Sequence, residues 1–156
     1  MLFPTHVVAG YVLGHGLRLP PVPVAIGAAL PDLIDKPLAI LGVVGIYHSV
    51  GHSALVLLAL LPFVRLGRAW LAAWLGWASH LALDVVHMVV NGRPEDAVFL
   101  LWPVVVRESS LGLGPIDFFF HYLWTPAFFL EIPIWIAFGY VVWRQYDAGE
   151  LPIVDT

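Results

Sequence analysis

The sequence of 156 residues contains no cysteine, which excludes disulfides, thiolate metal ligands and cysteine nucleophiles. Any bound metal ion must therefore be held by histidine, aspartate or glutamate. Charged residues are also scarce, at 12% of the chain, where soluble domains average about 25%. The formal net charge is −4, so no basic surface favours a nucleic acid as partner. The first ten residues lack the basic segment of a secretory signal.

Hydrophobic residues are abundant instead: they make up 60% of the chain, with a mean hydropathy of +0.88. Five apolar segments could enter or cross a bilayer, at roughly 5–17, 21–35, 50–65, 69–89 and 121–143. A full span needs about 20 residues, so the last two are long enough, the third is marginal and the first two are short. We predict an all-α, polytopic membrane bundle of about five short, partly broken helices. It would form a single domain over 1–156, ending in a C-terminal helix at about 121–143 and a polar tail at 145–156.

Two predicted helical hairpins place histidines and aspartates at one depth. The hairpins turn at 18–21 and 65–68, and Pro31 predicts a break within the second helix. At about 1.5 Å per residue, each polar group lies roughly 20–25 Å from its turn. Ionisable residues in membrane segments are costly and usually functional. The residues that share this level are His6, Asp32, Asp35, His52, His80 and Asp84.

Imidazoles and carboxylates without thiolates suit Zn²⁺, Mn²⁺ or Fe²⁺. We expect zinc first, and six such ligands could hold two or more ions. His48 and His87 are additional candidates, because His48 lies four residues before His52 and His87 seven residues after His80. Asp32 and Asp35 would repel each other without a cation, so either a metal ion or a lysine at position 36 must compensate them.

Some polar residues also have a structural interpretation. His15 fits a hydrogen-bonded core residue, and His121 fits an interfacial position as well as a site. His80 and Asp84 could form a plain buried ion pair, and Glu131 could pair with an arginine or lie in a cavity. The seven tryptophans fit interfacial anchors. No serine–histidine–acid arrangement is specific enough to predict a nucleophilic triad.

Four motifs in this order resemble a known family, the membrane-bound, metal-dependent hydrolases, also described as LexA-binding, inner-membrane-associated hydrolases. The resemblance covers about residues 5–103. Two positions depart from the family pattern: Gly51 replaces a threonine, and Tyr47 replaces a histidine and is followed by His48. The motifs are Thr5-His6 with Gly10, the Gly-x-x-Leu-Pro-Asp-x-x-Asp element at 27–35, Gly51-His52-Ser53, and Ser79-His80-x-x-x-Asp84 with Gly92 and Pro103.

The family is distantly similar to zinc-dependent phospholipase C and P1 nuclease, which are all-helical enzymes with multinuclear zinc sites of His and Asp. The resemblance therefore implies a membrane-embedded hydrolase in which a metal-activated water cleaves a phosphoester, in a lipid, a lipid-linked molecule or a small molecule. Two alternatives remain open. One is a divalent-metal or proton transporter, and the other is a structural or regulatory membrane protein with a fold-stabilising metal.

The basic residues give an expectation for orientation. Four lie at the turn end of the predicted helices and three at the end with the histidines and aspartates. The positive-inside rule then predicts an integral protein of the inner cell membrane with the metal site and N-terminus outside the cytoplasm. The turn-end residues are Arg18, Arg65, Arg68 and Arg144, and the site-end residues are Lys36, Arg93 and Arg107.

Overall fold

The computed structural model describes residues 1–107 and 111–149, with backbone alone for position 115. The described part is all-helical, which confirms the predicted class. Its α-helices are α1 (Phe3–Gly16), α2 (Pro21–Ile40), α3 (Ala54–Ala59), α4 (Arg68–Val90), α5 (Pro115–Tyr122), α6 (Pro126–Phe129) and α7 (Glu131–Asp147). Two 3₁₀ helices, Leu61–Leu66 and Pro94–Leu101, follow α3 and α4.

Three helices, α1, α2 and α4, pack against one another, and α7 lies along α1. Small residues allow this close packing, because they let two helix backbones approach each other. A Cβ at Gly27 would overlap the carbonyl oxygen of Ala73, and a Cβ at Gly76 would overlap that of Val24. The backbones of α2 and α4 therefore touch, and this contact sets the distance between the polar residues that the two helices carry.

Substitution of Gly76 by alanine should accordingly separate α2 from α4. We expect a loss of about 1–3 kcal/mol in the free energy of unfolding, because overpacking a rigid contact displaces backbone. Gly16→Ala is the matched control, since a Cβ there meets nothing within 4 Å. Thermal unfolding in detergent compares them, and equal midpoints for both variants would contradict the tight contact.

The structure corrects three predicted segments. Helix α2 is continuous through Pro31 and Pro37 to Ile40, so the predicted break is wrong. Pro31 is fully buried and lies directly under the backbone of Gly51, and this packing compensates for the one hydrogen bond that the proline lacks. The third segment is shorter than predicted, as α3 followed by a 3₁₀ helix. The last is interrupted between Tyr122 and Glu131, where α6 intervenes.

Two helical stretches, Arg68–Val90 and Pro126–Asp147, are long and apolar enough to cross a membrane. α1 and α7 run in the same direction, because Thr5 contacts Glu131 at one end and His15 contacts Gln145 at the other. The N-terminus and the end of α7 thus lie at opposite ends of the bundle, and the histidine–aspartate cluster lies at the N-terminal end.

Candidate metal centre

Six of the predicted residues converge at the N-terminal end of the bundle. Among the described residues, three groups of three each offer ligand atoms within 4.8 Å of one another. The groups are His6–His80–Asp84, Asp32–His52–His80 and His48–His52–Asp84. Any two groups share one residue, so they form one connected cluster. All its members are buried except His48, whose side chain is 31% exposed.

Two histidines face each other through their Nε2 atoms. His80 donates from Nδ1 to the carbonyl oxygen of Ala28 at 2.7 Å, and His52 donates from Nδ1 to Asp35 at 2.8 Å. In the neutral rings both Nε2 atoms are therefore unprotonated acceptors, yet they lie 3.2 Å apart. Two facing lone pairs in a buried site need a cation or a proton between them.

The carboxylate of Asp84 closes this arrangement. One oxygen lies 3.1 Å from Nε2 of His6, and the other lies 3.2 Å from that of His80 and 3.5 Å from that of His52. The first oxygen also accepts from the amino group of Met1 at 3.1 Å. Because its two oxygens face different histidines, Asp84 is suited to bridge two ions, whereas His52 and His80 each have a single free nitrogen.

Asp32 stands at the edge of the cluster. One oxygen faces Nε2 of His52 at 3.5 Å and that of His80 at 3.9 Å. The other accepts from the ammonium group of Lys36 at 2.6 Å. The lysine side chain is 40% exposed, so it compensates Asp32 from the solvent side and leaves one carboxylate oxygen directed at the histidines.

Asp35 belongs to none of the three groups and contacts the cluster only through His52 in the described contacts. Its carboxylate is fully buried and accepts from the backbone N–H groups of Ser49, Gly51 and His52, from the Ser49 hydroxyl and from Nδ1 of His52. With both oxygens occupied in this way, Asp35 orients His52 and holds the 49–52 segment. A carboxylate behind a histidine is the usual second partner of a metal ligand.

The two additional candidates differ in their placement. His48 points Nε2 towards Asp84 at 4.0 Å. Partial burial and the nearby His52 lower the pKa of His48 below its ordinary value of 6.5, so the ring is neutral and able to act as a ligand at neutral pH. His87 lies in none of the three groups. Its Nδ1 faces the Met1 amino group at 2.9 Å, and its buried Nε2 has no hydrogen-bond partner among the described residues.

The remaining polar residues lie outside the cluster. His15 contacts the amide of Gln145 at 3.0 Å, in agreement with a structural role, and His121 is exposed at the end of α5. Glu131 is buried and accepts from the Leu2 N–H and from the hydroxyls of Thr5 and Tyr122. Neutral donors, and not an arginine, thus stabilise Glu131 in the described contacts.

A cavity of about 700 Å³ opens beside the cluster. Asp32, His48, Asp84 and His87 line it, so two carboxylates face both the histidines and the open space. Sequence reasoning located the cluster but missed the carbonyl of Ala28 and the hydroxyl of Ser49. Backbone carbonyls and single serines carry no pattern in the sequence that marks them as partners of a distant side chain.

Comparisons with protein-family models, with curated proteins and with solved structures found no match. The buried histidines and aspartates could hold a metal ion, and this conclusion comes from their geometry alone.

Proposed function

We propose that this chain is a membrane-embedded, metal-dependent hydrolase that cleaves a phosphoester. The observation that carries the proposal is the pair of Nε2 atoms of His52 and His80, 3.2 Å apart and flanked by oxygens of Asp32 and Asp84. This donor set, of nitrogen and carboxylate ligands without sulfur, fits zinc and also accepts manganese or iron.

Asp84 makes two ions compatible with the cluster. Its carboxylate is common to the group with His6 and His80 and to the group with His48 and His52. These two groups share no other residue, so His6 and His80 would hold one ion and His48 and His52 a second, with Asp84 available to both. We therefore expect about two ions per chain in the loaded protein.

The open side of the cluster favours catalysis over a purely structural metal, because structural sites have every coordination position filled by protein. Asp32, His48 and Asp84 border the cavity, where a substrate and water can approach. When bound, the metal would supply Lewis-acid activation of water and stabilise charge on the phosphoryl oxygens. Hydrolysis adds the water oxygen to phosphorus, breaks the ester P–O bond and returns a proton to the leaving alkoxide.

Three features of the chain itself serve this reaction. Asp35 holds His52 in one tautomer and orientation. Lys36 compensates the negative charge of Asp32 at the cavity edge. The histidine rings of the first and fourth helices stack with centroids 3.8 Å apart, His6 on His80, which fixes their nitrogens relative to each other. A preorganised cluster of this kind costs little rearrangement during reaction.

We also propose that the chain belongs to the membrane-bound, metal-dependent hydrolases and that about five segments enter the bilayer. The four ordered motifs support the first proposal. The second is supported by apolar side chains that point away from the bundle, including Val22, Ile26 and Leu33 on α2 and Ile136 and Trp143 on α7, all between 55% and 67% exposed. Single exposed apolar residues are common, but faces of this size on two helices suit lipid.

Hydrolysis can be tested directly on detergent-purified protein. We expect release of 4-nitrophenol from 4-nitrophenyl phosphate or its bis ester after loading with Zn²⁺ or Mn²⁺. Chelation should abolish at least nine-tenths of this activity, and metal re-addition should restore it. His121→Ala, outside the cluster, is the control that should remain active. Bound metal without hydrolysis of any phosphoester would contradict the proposal. In that case metal flux into vesicles would identify a transporter.

We also propose that the metal site lies outside the cytoplasm, as the basic residues predict. Cysteine labelling can test this orientation, because the native sequence contains no cysteine. Glu95→Cys lies at the site end and Leu66→Cys at the turn end, both at exposed positions. If the site is extracytoplasmic, an impermeant maleimide added to intact cells should label the first variant strongly and the second only after lysis. The reverse pattern would place the site in the cytoplasm.

A further inference from the structure

The cavity beside the cluster has an apolar wall. Met88 and Phe99 form part of it and are 4% and 6% exposed. The Phe99 ring lies 5.2 Å from that of His48, and the Phe118 ring lies 5.7 Å from that of His87, so apolar surface begins directly at the polar cluster. A small hydrophilic phosphate would leave this apolar wall without an apolar partner.

Basic side chains line the same cavity. They are Lys36, Arg93 and Arg107. Arg93 is held by Asp96 at 2.9 Å, whereas Arg107 is exposed and donates to the backbone carbonyl of Glu95 at 3.4 Å. Guanidinium groups suit phosphate oxygens, which they can contact with two parallel N–H bonds. The cavity therefore combines groups that attract an anion with a surface that attracts hydrocarbon.

The apolar wall continues to the outside of the protein. Phe119 lines the cavity and is 42% exposed, and its neighbour in the chain, Phe120, is 68% exposed. Ile116 on the same short helix is 74% exposed, and Val104 and Val106, which precede Arg107, are 78% and 65% exposed. Exposed apolar side chains next to residues that line a cavity suit an apolar partner.

We propose that the cavity binds a membrane lipid phosphoester, with its phosphate at the cluster and the basic residues and its hydrocarbon chain along Phe99, Phe118 and Phe119. The volume of about 700 Å³ is in the range of small-molecule sites, about 300–1,000 Å³. Cleavage of this lipid rests on the proposed function. Its binding rests on the cavity alone and can be measured without turnover.

Photo-crosslinking with dodecyl phosphate that carries a diazirine at the chain end tests the binding. The full chain is used in nanodiscs of zwitterionic lipid, both metal-loaded and metal-stripped. We expect labelling to concentrate on α5 and on the Pro94–Leu101 helix. Excess dodecyl phosphate should compete, whereas inorganic phosphate and dodecanol at equal concentration should not, because neither contains both halves of the ligand.

Two pairs of variants sharpen the test. Phe119→Ala should weaken competition by dodecyl phosphate about tenfold, as expected for the loss of one large apolar contact. Phe63→Ala is the matched control, because Phe63 is 48% exposed on the Leu61–Leu66 helix and does not line the cavity, and it should leave the competition unchanged. Arg107→Gln should weaken it by a similar factor. Arg144→Gln, exposed at the opposite end of the bundle, should leave it unchanged.

The outcomes separate this inference from the proposed function. Uniform labelling of lipid-facing helices, with no effect of Phe119→Ala or Arg107→Gln, would overturn lipid binding in the cavity. If 4-nitrophenyl phosphate were still hydrolysed, the proposed function would stand. Labelling confined to the cavity wall, with neither dodecyl phosphate nor 4-nitrophenyl phosphate hydrolysed, would support the lipid site and contradict the hydrolase.

Discussion

His80→Ala and Asp84→Ala should each lower the metal content of the purified protein by at least about one ion per chain. Both residues belong to two of the three ligand groups, so neither variant retains more than one complete group. We expect the metal content to fall from about two ions per chain to about one or less. Elemental analysis of protein purified in parallel without added chelator measures this directly.

The matched controls separate loss of ligands from loss of fold. His15→Ala removes a histidine at the far end of α1 and should retain the full metal content. His80→Ala also leaves the carbonyl of Ala28 without its donor, which costs about 1–3 kcal/mol of stability. Circular dichroism must therefore show native helix content in both variants. If Asp84→Ala keeps its metal while folded, the cluster is not the metal site.

Asp35→Ala should have the largest effect on stability of any single substitution in the site. The carboxylate is 0% exposed and accepts hydrogen bonds from three residues of the loop before α3. Its removal leaves several buried donors without partners, each costing about 1–3 kcal/mol. We expect a loss of about 3–5 kcal/mol in the free energy of unfolding, similar to breaking a buried charged pair.

The same substitution should weaken metal binding indirectly. Without Asp35, His52 loses the acceptor that fixes its ring, and the loss of such a partner typically costs about 10–100-fold in metal affinity. Asp32→Ala provides the contrast, because Asp32 faces the cluster from its cavity edge. It should reduce the metal content with a much smaller change in unfolding midpoint.

Thermal unfolding and metal titration of the two variants, side by side, distinguish a positioning residue from a ligand. Asp35→Asn is a useful third variant, since it retains an acceptor oxygen and should recover part of the stability. If Asp35→Ala unfolds like the wild type but loses all metal, then Asp35 is itself a ligand, as its depth in the sequence predicts, and the arrangement around His52 changes on metal binding.

The sequence alone was sufficient to predict an all-helical chain and the level of the polar residues. The apolar composition, the absence of cysteine and the similar distances of four polar residues from two turns can all be counted along the chain. These residues are His6, Asp32, His52 and Asp84. The rise per residue of a helix converts these distances directly into depth. That is why the predicted residues lie together in the structure, even though three of the predicted segments have different bounds.

Among the histidines and aspartates at this shared depth, only the tertiary structure decides which ones face the cluster and which ones support it. Asp32 and Asp35 are three positions apart on α2 and look equivalent in the sequence. Packing turns Asp32 towards the histidines and the cavity, while the 49–52 segment surrounds Asp35 with donors. The helix continues through Pro31 for the same reason, because buried contacts outweigh a local preference. The depth of a residue along a helix follows from counting residues in the sequence. The direction in which its side chain points depends on which distant segments of the chain pack against that helix.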